Sequence, residues 1–297
     1  MDRASELGEF LRSRRNRLRP EEVGLTSGGL RRQVPGLRRE ELAQLAGVSV
    51  AYYVRLEQGQ SKNASDGVLD ALARALKLNE TETAHLHSLA RPTRAARKKI
   101  RPERLRPSLA TMINSFENVP AYIVGRRTDV LAWNRMAHAL LAGHLDFDAP
   151  QRPADRPNMA RMLFLDPHTC ELFTDWKRRA RDSVACLRLT AGCFPGDTAL
   201  MTLIGELTVN SLEFASLWAA HPIQECASTT ERYQHPLVGP MTLDEEVMQL
   251  PGDAGQRLIV INARPDSSSA AAINLLADMV SSSARVQRES IHPRTLQ

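Results

Sequence analysis

Over the first ninety residues, apolar positions recur every three to four residues, the period of helices with one buried face. Leu7, Phe10, Leu11 and Leu18 mark a first helix over 6–18, which Pro20 ends. A loop rich in Gly and Pro follows, up to Gly36. Leu42 and Leu45, with Ala43 and Ala46, mark a second helix, and Gly47 stands where a left-handed residue stops it. Ser49 is placed to cap a third helix, which turns Tyr53 and Leu56 inward and ends before Gly59. Ser65 caps a fourth through Leu76, with Val68, Leu69, Leu72 and Ala75 on its inner face. Asn79 and Glu82 form a capping box for a fifth, continued by Leu86 and Leu89. His85 and His87 are two apart, fall on different faces, and are expected at the surface rather than on a metal. Helix, Gly-containing turn and capped helix over 36–59 is the pattern of a DNA-binding helix-turn-helix.

From Ser108 the pattern changes. Residues 109–116 read as a helix, then 119–124 and 130–133 as a β-hairpin. Asn134 caps a helix to about Leu141, and Asp166-Pro167 opens a helical run through Trp176 towards Leu189. Two more helices are expected over 197–207 and 211–220. Three strands follow over 223–233, 237–250 and 256–263, with turns at Gly239-Pro240 and Pro251-Gly252-Asp253. A last helix covers about 269–280. The expected organisation is multidomain: an all-α domain over 1–92, a basic linker over 93–107, an α+β domain over 108–283 and a tail over 284–297. The pattern suggests a mixed sheet with helices on one side.

Charge sharpens this division. Residues 1–106 carry 22 Lys and Arg against 13 Asp and Glu, whereas residues 107–297 carry 17 against 21. A basic domain beside a mildly acidic one points to a polyanion partner for the first only. No apolar run approaches the ~20 residues of a membrane helix, and the charged N-terminus lacks a signal-peptide core. The expected compartment is the cytoplasm. The four cysteines, Cys170, Cys186, Cys193 and Cys226, are widely spaced without a CxxC and are expected as buried free thiols.

The helical domain resembles the Cro/repressor-type helix-turn-helix of the XRE family. The likeness rests on Glu41-Leu42-Ala43, Ala46-Gly47-Val48-Ser49, Tyr53 and Leu56-Glu57-Gln58-Gly59. The family's docking, carried over, puts Val50, Ala51, Tyr52 and Arg55 at base edges in the major groove. It puts Arg39, Lys62 and Asn63 on phosphates. Tyr52 is expected exposed and Tyr53 buried. Val50 and Ala51 offer only apolar contact, so discrimination is expected to lean on Tyr52, Arg55, water and DNA shape.

The whole chain is similar to the MmyB-like regulators, in which such a helix-turn-helix is joined to a PAS-like ligand-binding domain. Asp129-Val130-Leu131-Ala132-Trp133-Asn134, Asp175-Trp176, Val184-Ala185-Cys186-Leu187-Arg188, Phe214 to His221, and His235-Pro236-Leu237-Val238-Gly239 carry that likeness. The resemblance implies a small apolar, fatty-acid-like effector. Arg126, Arg127 and Arg232 are candidates for a carboxylate, and Trp133, Phe164, Trp218 and Tyr233 for apolar walls.

No GxSxG, HExxH, zinc-deaminase or phosphate-loop motif is present, so an enzyme is not expected, and neither is a cofactor or metal. His221 and His235 have Glu225 and Glu231 nearby in sequence, a pattern that sheet-edge hydrogen bonds explain more economically than catalysis. The expected function is a sequence-specific transcriptional regulator, a homodimer on double-stranded operator DNA, with a small-molecule effector. The alternative is a DNA-binding regulator controlled by a protein partner and lacking a ligand cavity.

Overall fold

The computed structural model describes residues 3–25, 36–60, 64–90, 103–194, 196–222, 228–253 and 255–291. Thirteen α-helices and five strands lie among them. The contacts divide the chain into two units: 1–100 with 184–202 and 215–225, and 101–183 with 203–214 and 226–297.

The first unit is built on α1 (Arg3–Arg17), α2 (Arg39–Leu45), α3 (Val50–Glu57), α4 (Asp66–Ala75) and α5 (Glu80–Ala90), with a 3₁₀ turn at Pro20–Val23. Its core is Leu7, Phe10, Leu11, Leu37, Leu42, Tyr53, Leu56, Leu69, Leu72 and Leu86, all nearly sealed from solvent. Each such side chain contributes roughly 1.5–3 kcal/mol of burial, and the helical period in the sequence exists to bring them together. The caps fall where expected. Ser49 Oγ accepts the Tyr52 amide at 3.2 Å, Ser65 Oγ accepts that of Val68, and Asn79 and Glu82 form their reciprocal box. Gly47, at φ 65°, closes α2 as its amide bonds Gln44 O and that of Val48 bonds Ala43 O.

His85 departs from expectation. It is buried edge-on against the Phe10 ring, centroids 5.4 Å apart. The last part of α10 (Trp176–Cys193) belongs to this unit. A Cβ on Gly192 of that helix would lie 2.8 Å from His85 Cε1, and Leu189 packs on the core. The α5 sequence alone cannot show that another segment covers this face.

The second unit holds β1 (Ala121–Val124), β2 (Val130–Trp133), β3 (Thr229–His235), β4 (Gly239–Gln249) and β5 (Arg257–Asn262). They form one sheet in the order β2-β1-β5-β4-β3. Every pairing is antiparallel, so the sheet is not mixed. Helices also cover both faces instead of one. On one face α6 (Pro107–Asn114) sets Leu109 and Ile113 against Ala121, Ile123, Leu131 and Leu258. On the other, α9 (Pro167–Leu172) leads into Phe173, whose ring meets Tyr233 at 5.2 Å. The β1 burial pattern, sealed at all four residues, follows from this two-sided cover. The single helical run expected from Asp166 is divided between α9 and α10, and α8 (Met159–Leu165) precedes it unannounced. Helices α7 (Arg135–Ala142), α11 (Thr198–Asn210), α12 (Leu212–Ala219) and α13 (Ser268–Ile291) complete the set.

Cys186 is disulfide-bonded, and the Cys193 thiol is exposed, so neither is the buried free thiol expected. Wide spacing says nothing about which residues the fold brings within bonding distance. No described helix is long and apolar enough to cross a membrane.

Candidate DNA interface and effector cavity

The turn between α2 and α3 directs one face of α3 inward and the other to solvent. Tyr53, Leu56 and Glu57 are buried, at i, i+3 and i+4. Val50, Ala51 and Arg55 are exposed, and the Arg55 guanidinium has no hydrogen-bond or ion-pair partner among the described residues. Tyr52 is half-buried and packs against the core, short of the exposure expected for it. Lys62 and Asn63 lie outside the described residues.

Glu57 is the hub of this unit. Its Oε1 accepts from Arg15 Nε and from the Tyr53 hydroxyl, both at 2.8 Å, and its Oε2 accepts from Arg39 Nε at 2.7 Å. Arg15 also donates to Leu37 O at 2.6 Å, tying in the chain ahead of α2. Burial by itself would raise the Glu57 pKa. The hydrogen bonds from Arg15, Arg39 and Tyr53 outweigh that and hold it below the ordinary carboxylate value. Burial and the Glu57 charge push the Tyr53 phenol well above its usual range, so it remains a donor. Arg39 is thus anchored at one end, while its side chain stays 43% exposed. A fixed yet accessible guanidinium is well suited to a phosphate. The Glu57 hub was not foreseen. The signal for it was an acidic residue at an inward position beside Tyr53 and Leu56.

The candidate effector residues do not converge. The Trp133 indole donates to Phe147 O at 2.8 Å and is core, as is Phe164, edge-on to Trp176 and Phe214. Tyr233 is fully buried and its hydroxyl donates to Glu245. Arg232, its neighbour on β3, points to the opposite, exposed side. Trp218 lies in the first unit, under the Arg188 guanidinium at 4.0 Å. Arg126 is buried and stands 3.9 Å from Glu103 Oε1.

The sheet face that carries Tyr122 and Tyr233 instead holds a buried ionic group. Arg179 reaches Glu245 at 2.9 Å and Glu231 at 3.6 Å and lies over the Phe173 ring. Burial would lower the Arg179 pKa, but Glu245 and the other anionic groups overcome it and keep the charge.

Arg127 does line a cavity of about 670 Å³ in the second unit. Arg104, Arg156 and Arg161 also face it, against Glu103 and Asp129. Leu105, Leu131, Pro153 and Ala154 supply apolar wall. Arg161 is held by Glu206 through two hydrogen bonds of 2.8 and 2.7 Å, and Arg156 donates to Pro150 O. This volume is in the range of small-molecule sites. Of these residues Arg127 alone is an effector candidate from the sequence, and the further signal there is the arginine-rich stretch from Arg152 to Arg161.

Residues 6–86 match the model of a helix-turn-helix domain, and residues 105–276 match that of the MmyB-like transcription regulator ligand binding domain. The chain belongs to the MmyB-like transcription regulators. No curated protein matches it. The regulator therefore joins a DNA-binding module to a ligand-binding one, and both matched families are regulatory rather than enzymatic. The exposed face of α3 and the arginine-lined cavity are its candidate DNA and effector sites.

Proposed function

We propose that this regulator acts in the cytoplasm as a homodimer on operator DNA and responds to a small acidic amphiphile of fatty-acid type. The observation that carries the DNA reading is the division of α3. Tyr53, Leu56 and Glu57 lock the helix down, while Val50, Ala51 and Arg55 face outward with the accessible edge of Tyr52. Arg39 contacts phosphate, and so do Lys62 and Asn63. Two half-sites add avidity that one small module lacks. The effector's carboxylate meets the arginines of the cavity and its chain lies along Leu105 and Leu131. The cavity also supports this reading over control by a protein partner alone. Ligand binding shifts the balance between DNA-competent and DNA-incompetent states through its difference in affinity for the two.

The test is selection of genomic fragments on the purified protein, followed by titration of the enriched site. A short, roughly palindromic site with salt-sensitive affinity is expected. Combined Tyr52→Ala and Arg55→Ala substitution should reduce specific binding by about 1–3 kcal/mol for each base contact removed. Arg39→Ala should weaken all sequences alike and flatten the salt slope. Enrichment of no site would overturn the proposal.

A further inference from the structure

Two histidines and an aspartate from two places in the chain meet on the surface of the second unit. His144 follows the end of α7, Asp166 joins α8 to α9, and His168 is in the first turn of α9. His144 Nε2 is 2.7 Å from Asp166 Oδ2, and His168 Nδ1 is 3.2 Å from Asp166 Oδ1. The two imidazoles lie nearly parallel, 12° apart with centroids at 4.4 Å. One ligand atom from each residue can be chosen so that all three lie within 4.8 Å of one another.

The cap of α9 explains only part of this. Asp166 accepts the His168 amide at 3.0 Å and the Thr169 hydroxyl at 3.0 Å, which is the work of an N-cap. It does not explain His144, which comes from 22 residues earlier to reach the same carboxylate. Nor does it explain two imidazoles presenting one nitrogen each to one pair of oxygens. A carboxylate only accepts, so each ring nitrogen that faces Asp166 donates its N–H to it, and an ion at this point would take the place of those protons.

The geometry points to a divalent transition-metal site formed by His144, Asp166 and His168, of the zinc class and separate from the effector cavity. Ligands about 2.1 Å from a tetrahedral ion stand about 3.4 Å apart. The two contacts to Asp166, 2.7 and 3.2 Å, lie close to that spacing, and the two imidazole nitrogens, within 4.8 Å of one another, close on it by rotation of the exposed His168 side chain. Two nitrogens and a carboxylate favour zinc, cobalt, nickel or copper over magnesium or calcium, which prefer oxygen ligands alone. His168 is 69% exposed, so a remaining coordination position opens to water. The Cys170 thiol is directed to Leu163 O and is not in the set. An ion here would tie the end of α7 to the corner between α8 and α9.

Cobalt(II) titration of the EDTA-stripped full-length protein tests this, read through visible d–d absorption and reversed with zinc(II). One equivalent per chain is expected to give the ligand-field bands. His144→Ala or His168→Ala should each weaken binding by about tenfold or more. The metal-free melting temperatures should stay close to the parent, since His168 is exposed and both changes leave the Asp166 cap in place. Zinc should raise the melting temperature of the parent and not that of the double His variant. Absence of the bands in the parent, or an unchanged titration in the double variant, would refute the site.

Discussion

Around one carboxylate, that of Glu57, Arg15 from α1, Arg39 from α2 and Tyr53 from α3 are brought together. Breaking such a buried pair leaves a charge behind. Glu57→Gln should strand the Arg15 guanidinium, whose side chain is 7% exposed, at a cost of about 3–5 kcal/mol. Hydrogen exchange of the amides in 36–60 should show it as lost protection. The pH dependence has a definite sign. The folded pKa of Glu57 lies below the ordinary 4.5, so its contribution is complete above that value and is lost as pH falls through the folded pKa. Glu57→Gln should therefore flatten the acid limb of the stability profile for this unit. The same carboxylate holds Arg39, so the stability defect should come with weaker phosphate contact.

At the scale of elements, α1 and α3 approach so closely that only glycine fits between them. A Cβ on Gly8 would lie 2.0 Å from the Glu57 carbonyl oxygen, a backbone atom that cannot swing aside. Gly8→Ala should force the helices apart at a cost of about 1–3 kcal/mol. Thermal unfolding should show the loss, and the DNA affinity of the surviving fold should fall because α3 is displaced. Nothing in the sequence around Gly8 marks it, since glycine within a helix reads as a weakness until the neighbouring backbone is known. The caps at Ser49, Ser65 and Asn79 are the opposite case. Each is a contact across three residues, so the residue types alone disclose it. His85 again shows the limit, because its cover comes from α10, far along the chain.

At the scale of the molecule, the sheet order β2-β1-β5-β4-β3 closes the two ends of the second unit's chain side by side, with β1 next to β5. Strands were legible from alternation, but their order was not, and neither was the cover on both faces. The cavity that follows from this packing gives a test of effector action. A saturated fatty acid should bind the full-length protein and change its affinity for the selected operator. Combined Arg127→Ala and Arg156→Ala should weaken that binding by about tenfold, the worth of a hydrogen bond to a charged group. Isothermal titration reads the first effect and fluorescence anisotropy on labelled DNA the second. Binding that is unaffected by the two changes would place the effector elsewhere.

By itself the sequence determined the helix-turn-helix, its caps, the basic character of the first domain and the α+β character of the second. These depend on residues within about one helical turn or one strand pair of each other, or on composition, and such interactions are written into local order. Only the tertiary structure decided that Arg15 meets Glu57 across 42 residues and that His144 meets Asp166 across 22. It also decided that Arg179 takes the buried place beside Tyr233 where an apolar wall was expected. Long-range partners are selected by the path of the whole chain and by the requirement that buried charges be paired, and neither condition can be read from one segment at a time.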